Sequence, residues 1–347
     1  MVKKVGILTG GGDCPGLNAA IRASVRKLIA QNVEVIGILK GWKGIVEKET
    51  TPLGINEVSG ILPKGGTILG TSRTNPLKHQ DGVRTVSRHT EELALDSLIA
   101  IGGEDTLGVA SKLFESGLKV IGIPKTIDND LNGTDFTFGF DTAISIATEA
   151  IDRIHTTAES HDRVMIVVVM GRYTGWIATY AGLAGGADAI LIPEKPFYID
   201  DVVSSIKKRH DRGRDFSIIV VAEGAKFAEF ADKNILITQD TKIDEFGHVQ
   251  LGGVGNVLAR EIEERTGFET RVTVLGHIQR GGTPTAYDRV LATRFGVHAA
   301  NMALAGMFGY MAALKGNSIT QVSLKEATGQ LKMLDKSIYE IAKVFFG

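Results

Sequence analysis

Lys125, Asp128 and Asp130 stand in the stretch Pro124-Lys125-Thr126-Ile127-Asp128-Asn129-Asp130, which closes an apolar run. A second apolar run, farther upstream, ends in Gly102-Gly103-Glu104-Asp105-Thr106. Both stretches set acidic side chains beside small or hydroxyl-bearing residues, where a strand hands over to the next element. In an open α/β sheet the carboxyl ends of the strands are where ligands bind. Carboxylates with a lysine at such an edge suit Mg²⁺-assisted phosphoryl transfer, which needs a metal ligand, a base and a cation. Asp128 and Asp130, two positions apart, point to one side of an extended segment. One can take a proton from a hydroxyl while the other orients a metal or a water. Lys125 can stabilise charge on a transferring phosphoryl group. Glu104 and Asp105 point to opposite faces if extended, so one of them faces the metal. The competing reading of each carboxylate is a helix cap or turn residue; two such clusters, each after a buried run, weigh against it.

A third stretch, Gly10-Gly11-Gly12-Asp13-Cys14-Pro15-Gly16, follows the first apolar run and precedes a helix from about Asn18. Glycines let backbone N–H groups approach phosphate oxygens, and a helix N-terminus adds partial positive charge. The dinucleotide fingerprint fails here because its third glycine falls at Pro15, and no Walker sequence occurs. Arg163, Arg172, Arg271 and Arg280 each flank or follow a strand-like run. Two of them lie in Met170-Gly171-Arg172-Tyr173 and Gly276-His277-Ile278-Gln279-Arg280-Gly281-Gly282. The planar guanidinium suits phosphate, so several around one anion would hold a phosphorylated sugar; taken singly, each reads as a surface ion pair. His277 alone reads as a core histidine. No zinc spacing and no GxSxG nucleophile elbow appears.

The elements that must position these groups follow from the apolar pattern. Residues 5–9, 34–39, 97–101, 120–123, 164–170, 218–222 and 272–275 read as strands, and most are apolar on successive positions. That pattern belongs to strands buried on both faces of a mostly parallel sheet. Helical patterns lie between them, the clearest over residues 140–160, where Ala143, Ile144, Ala147, Ile151 and Ile154 share a face. The alternation predicts an α/β fold with helices on both sides of the sheet. Residues 227–255 are polar and poorly periodic, an excursion with room for a hairpin. Across 347 residues, 43% hydrophobic and 23% charged, the formal net charge is -1. A balance so near neutral gives no support for a nucleic-acid or membrane partner. Glycine is in excess, 42 residues where ~7% is usual, and it gathers in strand-to-helix turns. One cysteine, Cys14, excludes an intrachain disulfide. With no signal-peptide core and no apolar run of membrane length, the expected location is cytoplasmic.

Gly11-Gly12-Asp13, Pro15-Gly16-Leu17-Asn18-Ala19-Ala20-Ile21-Arg22, Gly65-Gly66-Thr67, residues 126–130, Met170-Gly171-Arg172 and residues 276–282 together resemble the bacterial-type phosphofructokinases. The resemblance spans nearly the whole chain in the family's order, with residues 227–255 as an apparent insertion. It implies two Rossmann-like three-layer lobes with mostly parallel sheets and a cleft between them. The phosphoryl-donor domain would be residues 1–139 with about 277–325, and the sugar-phosphate domain residues 140–276 with about 326–347. It implies phosphorylation of fructose 6-phosphate at O1, with Mg²⁺ as cofactor. On that resemblance Asp128 is the base, Thr126 and Asp130 position that end, Arg73 bridges the transferring phosphoryl group, and Glu104 is the metal-linked acid. Gly12 and Gly103 bind the donor. Met170, Gly171, Arg172, Glu223, His277 and Arg280 match sugar-phosphate contacts. Arg163 and Arg271 match arginines lent by a neighbouring subunit, which implies a homo-oligomer, dimer or tetramer. Asp188, Arg212 and Arg214 fall near effector contacts of regulated relatives.

Two positions bear on the donor. ATP-using members resembling this chain carry glycine where Asp105 stands and commonly where Lys125 stands, whereas pyrophosphate-using members are similar to it at both. A carboxylate at Asp105 meets the α-phosphate of ATP. Like charges ~4 Å apart repel by about 1 kcal/mol in water and ~4 kcal/mol at an effective dielectric of 20. Pyrophosphate has no α-phosphate, and Lys125 can neutralise its terminal phosphate. Val109 is expected to narrow the space for adenine. Pyrophosphate is therefore the expected donor, an ATP-dependent phosphofructokinase the same-class alternative, and a catalytically silent sugar-phosphate sensor the alternative from another class.

Overall fold

The computed structural model describes residues 2–228, 238–243, 249–251 and 253–347. The amino-terminal part runs β1 (Lys4–Thr9), α1 (Leu17–Ile29), β2 (Glu34–Ile38), α2 (Trp42–Glu47), β3 (Thr50–Pro52), α3 (Gly82–Glu92), β4 (Ser97–Gly102), α4 (Glu104–Glu115), β5 (Val120–Thr126) and β6 (Phe138–Gly139). Then come α5 (Phe140–Ser160), β7 (Val164–Val169), α6 (Trp176–Ala184), β8 (Ala189–Leu191), α7 (Ile199–Asp211), β9 (Ser217–Ala222), β10 (Thr238–Ile243), β11 (Val249–Leu251), α8 (Val254–Thr266) and β12 (Thr270–Val274). The chain closes with α9 (Ala286–Ala305), β13 (Tyr310–Lys315), β14 (Ser318–Ser323), α10 (Leu324–Gly329) and α11 (Lys336–Lys343).

Two compact units divide the described residues. One takes the chain through Thr142 and again over Arg280–Lys332; the other takes the described residues between Ala143 and Gln279 and those of Met333–Gly347. The crossings thus fall after Thr142, Gln279 and Lys332, where the sequence set about 139, 276 and 325.

In the first unit the sheet order is β14-β13-β5-β4-β1-β2-β3, with β6 beside β5. The central strands β1, β4, β5 and β13 pair in parallel, and only the outer pairs β2–β3 and β13–β14 are antiparallel. These parallel strands are apolar at successive positions because both faces are covered. Leu8, Leu98, Ala100, Val120 and Met311 face a core shared with Trp42, Ile45, Val86, Leu107, Leu113 and Leu324 of the helices on that side. Strand alternation turns Ile7, Ile99 and Ile121 to the opposite face, where α1 and α9 lie side by side. Gly296 allows that approach: a Cβ there would fall 2.5 Å from the Ala20 carbonyl oxygen and 2.9 Å from the Ala23 Cβ.

In the second unit β12-β7-β9-β8 form a parallel sheet. Ile166, Val168, Ile219 and Val221 pack on one face with Val202 and Ile206 of α7 and Leu258 and Ile262 of α8, while α6 covers β8 and β9. Within 227–255, β10 and β11 form an antiparallel pair, Thr238 facing Leu251 and Ile243 facing Val249. The remainder of that polar excursion, apart from its flanks, lies outside the described residues.

Candidate active site

β1 enters the glycine loop from the middle of its sheet, and the loop is shaped by what it cannot hold. A Cβ at Gly10 would fall 2.6 Å from the Thr106 hydroxyl, and one at Gly12 would fall 2.5 Å from the Arg280 guanidinium. The missing side chains therefore admit Thr106 on one side of the loop and Arg280 on the other. Beneath it, at the end of β5, Lys125 is 3% exposed, and its ammonium donates to the Gly12 carbonyl at 2.5 Å. Burial pushes the pKa of Lys125 down and Arg280 adds to that, while Asp13 and Asp128 oppose it. A phosphate in reach of this ammonium would favour its charged form. Cys14, buried in the same loop, has its thiol pushed up to about 12, chiefly by burial.

The acidic stretch after β5 does not run on as a strand. Asn129 is fully buried and left-handed, with φ of 52°. So Asp128 and Asp130 are brought together by a turn, not by the alternation of an extended segment. The Thr126 hydroxyl accepts from the Asp128 amide at 3.1 Å and donates to the Asp130 carboxylate. Burial first, and then the charges of Asp128 and Glu104, push Asp130 up to about 7. Glu104 and Asp105 are also not extended: they form the first turn of α4 behind the N-cap Gly103, where the helix dipole favours carboxylates. A Cβ on Gly103 would stand 3.4 Å from the Lys125 carbonyl oxygen. Residues 104, 125, 128 and 130 thus share one edge of one sheet.

A second loop is tied to this edge. Asn18, almost fully buried in α1, donates to the carbonyls of Lys64 and Gly65 at 3.0 and 3.2 Å and accepts from the Ile68 amide at 2.9 Å. The Thr71 hydroxyl donates to the Gly11 carbonyl at 2.5 Å, and that of Ser72 to the Lys40 carbonyl at 2.7 Å. Arg73 follows directly, exposed, so its backbone is moored to the glycine loop. The sequence quoted Asn18 only within a family motif; its buried amide is what fixes the loop before Arg73.

In the second unit Met170-Gly171-Arg172 leaves the end of β7, Glu223 the end of β9, and His277 follows β12. Parallel pairing brings these ends to one edge: the Glu223 amide donates to the Val169 carbonyl at 2.9 Å, and the Gly224 amide to that of Gly171 at 3.1 Å. Arg163 and Arg271 lie elsewhere. They stand at the amino ends of β7 and β12, roughly 20 Å and 10 Å of strand away respectively, and both pair with Glu269. Arg280 belongs to the first unit, beside Gly12. Val109 corrects a sequence expectation. It is 2% exposed and packs in the core with Ala110 and Leu113, because α4 turns that position inward. Gly108, its neighbour, is the open one, where a Cβ would meet nothing within 4 Å.

Comparison with known proteins bears on this arrangement. The phosphofructokinase family model matches residues 4–303. The chain belongs to the phosphofructokinase family. A pyrophosphate--fructose 6-phosphate 1-phosphotransferase of Amycolatopsis methanolica is 58% identical over 99% of this chain and 100% of its own length. An ATP-dependent 6-phosphofructokinase 3 of Streptomyces coelicolor is 51% identical over 98% of this chain and 99% of its own. Among solved structures, the phosphofructokinase of Pichia pastoris in the T-state matches with a TM-score of 0.84 at 30% identity; 99% of this chain corresponds to 37% of that longer one. The fold is accordingly that of phosphofructokinases.

The acidic edge of this phosphofructokinase fold offers a metal few protein ligands. No group of three or more His, Cys, Asp or Glu able to hold an ion occurs among the described residues. Mg²⁺ needs no such cage, since it commonly takes one or two carboxylates and completes its shell with waters and phosphate oxygens. Glu104, the metal-linked acid of the sequence reading, stands at that edge with its charge felt at Asp130 and meets that requirement.

Proposed function

We propose that this chain transfers a phosphoryl group from pyrophosphate to O1 of fructose 6-phosphate, giving fructose 1,6-bisphosphate and phosphate in a readily reversible reaction. The observation that carries the donor is Lys125: a buried ammonium under the glycine loop, against the Gly12 carbonyl, suits a small, highly charged diphosphate. Asp105, in the first turn of α4, adds a negative charge that the α-phosphate of ATP would meet and pyrophosphate would not. Gly12 and Gly103 give the donor backbone to approach.

Asp128 accepts the proton of the sugar C1 hydroxyl as that oxygen attacks phosphorus. Asp130, through the shared Thr126 hydroxyl, holds the turn and the local charge, and Arg73 meets the transferring phosphoryl group. Lys125 and Arg280 stabilise the negative charge gathered on the transferred and leaving oxygens. Met170, Gly171, Arg172, Glu223 and His277 hold the sugar phosphate. Glu104 would hold Mg²⁺, whose chemistry is to neutralise the diphosphate charge. Arg163 and Arg271, at the amino edge of the second sheet, are free of that set and suit delivery to a neighbouring subunit's site, so the active form is a homo-oligomer. The expected location is cytoplasmic; no helix among the described residues is long and apolar enough to cross a membrane.

ATP is the second reading, and one observation favours it: Gly108 leaves open the side where Val109 was expected to close the adenine space. Donor choice then rests on Asp105 and Lys125 alone. Initial rates with Mg-pyrophosphate and Mg-ATP at saturating fructose 6-phosphate separate the two. Turnover with ATP and none with pyrophosphate would overturn the proposal.

A further inference from the structure

Lys332 is the last residue of the first unit, in the short segment between α10 and the crossing to the second. Its ammonium donates to the Asn129 Oδ1 at 2.9 Å, the Thr134 carbonyl at 3.0 Å and the Asp135 carbonyl at 2.9 Å. Three acceptors match the three N–H donors of one ammonium. Its own amide donates to the Asp130 carbonyl at 2.8 Å, and Leu331 forms an antiparallel bridge to Leu131. Every one of these partners lies in the turn that carries Asp128 and Asp130.

Asn129 completes the closure. Its Oδ1 also accepts from the Thr137 amide at 3.1 Å, while the Thr137 hydroxyl donates to the Thr126 carbonyl at 2.8 Å. The turn is therefore drawn shut from inside by Asn129 and fastened from outside by Lys332. Asparagine tolerates the left-handed region better than most side chains, and contacts on its amide can fix it there. Here those contacts converge on a single side-chain oxygen. No sequence motif marked Lys332.

We propose that Lys332, acting through Asn129, is the positioning residue of the acidic turn: it sets the Asp128 and Asp130 carboxylates for proton transfer. This rests on the phosphofructokinase reading above. The charged groups that face Lys332 are Asp130, Asp135 and Lys315. Burial holds the ammonium down to about 8, against the pull of Asp130 and Asp135.

The test compares full-length wild type, Lys332→Met and Lys332→Arg with whichever donor the wild type uses. In Lys332→Met, kcat is expected to fall roughly 10- to 100-fold, the scale of a small misplacement of a reacting group. KM for fructose 6-phosphate is expected to stay within about threefold, as for an interaction used only in the transition state. In Lys332→Arg, which keeps donors towards the turn, kcat recovers to within about threefold of wild type. Amide exchange over residues 127–137 quickens in Lys332→Met. A folded Lys332→Met with kcat within about twofold of wild type overturns the proposal. Should Lys332→Met not fold, Asn129→Gly is read instead. Glycine keeps the left-handed turn but removes the acceptor, so lost kcat and faster exchange support the proposal and unchanged values overturn it. A wild type inactive with both donors defeats the phosphofructokinase reading alone. Exchange over 127–137 then still decides the clamp, and unchanged protection in Lys332→Met overturns it.

Discussion

Each carboxylate of the acidic turn has a separate measurable consequence. Asp128→Asn keeps the shape of the side chain and removes the base, so kcat is expected to fall roughly 10²- to 10⁴-fold while affinity for the sugar phosphate persists. Full turnover in that variant would remove Asp128 from the role of base. The Asp128–Asp130 pair must be ionised to accept a proton, and burial with mutual repulsion raises Asp130 to about 7. Activity is therefore expected to decline as pH falls through about 7. Asp130→Asn removes the like charge and moves that limb to lower pH, which a pH–rate profile of the two proteins reads directly. Donor choice belongs to the same scale: Asp105→Gly combined with Lys125→Gly is expected to shift relative kcat/KM towards ATP, and no shift would place the determinants elsewhere.

At the scale of elements, the apolar runs gave away the buried strands and the spacing of Ala143, Ala147 and Ile151 gave α5, whose bounds Phe140–Ser160 match the pattern. Burial on two faces writes itself into consecutive residues. The turn after β5 does not, because Asn129 is held left-handed by Thr137 and by Lys332, the latter 203 positions away, and no local signal carries such a partner. Val109 was misjudged for a different reason. It lies one residue from Gly108, about 100° round a helix of 3.6 residues per turn, which separates the core from open space. The joint between α5 and α9 offers a stability test. Asp288, fully buried, accepts from the Thr142 amide at 2.8 Å and from its hydroxyl at 2.5 Å. Burial nonetheless raises Asp288 to about 6, against those two hydrogen bonds. The folded state then binds this proton more tightly than the unfolded chain. Relative to Asp288→Asn, wild-type stability is expected to rise as pH falls from about 6 to about 4, by ~2–3 kcal/mol in all. Denaturant midpoints of the two proteins across that range check it.

For the whole molecule, the separation of Arg163 and Arg271 from the carboxyl edge of the second sheet leads to a test of the proposed shared site. Arg163→Ala and Asp128→Asn each inactivate a homo-oligomer if sites are shared between subunits. Co-expressed, the two variants would form mixed oligomers in which some sites receive an intact arginine from one chain and an intact aspartate from the other. Recovery of activity in the mixture is the expected outcome, and its absence would mean that each chain completes its own site.

Cys14 gives the glycine loop a built-in reporter. Since the sulfhydryl is enclosed and stays protonated at any physiological pH, iodoacetamide cannot modify the closed form. Alkylation, weighed by intact mass, would then clock how often the loop unlatches, and pyrophosphate bound against the loop would slow the clock. For the cell this means an enzyme whose only sulfur nucleophile is out of reach of peroxide, so oxidative bursts would leave its catalytic loop chemically unmarked.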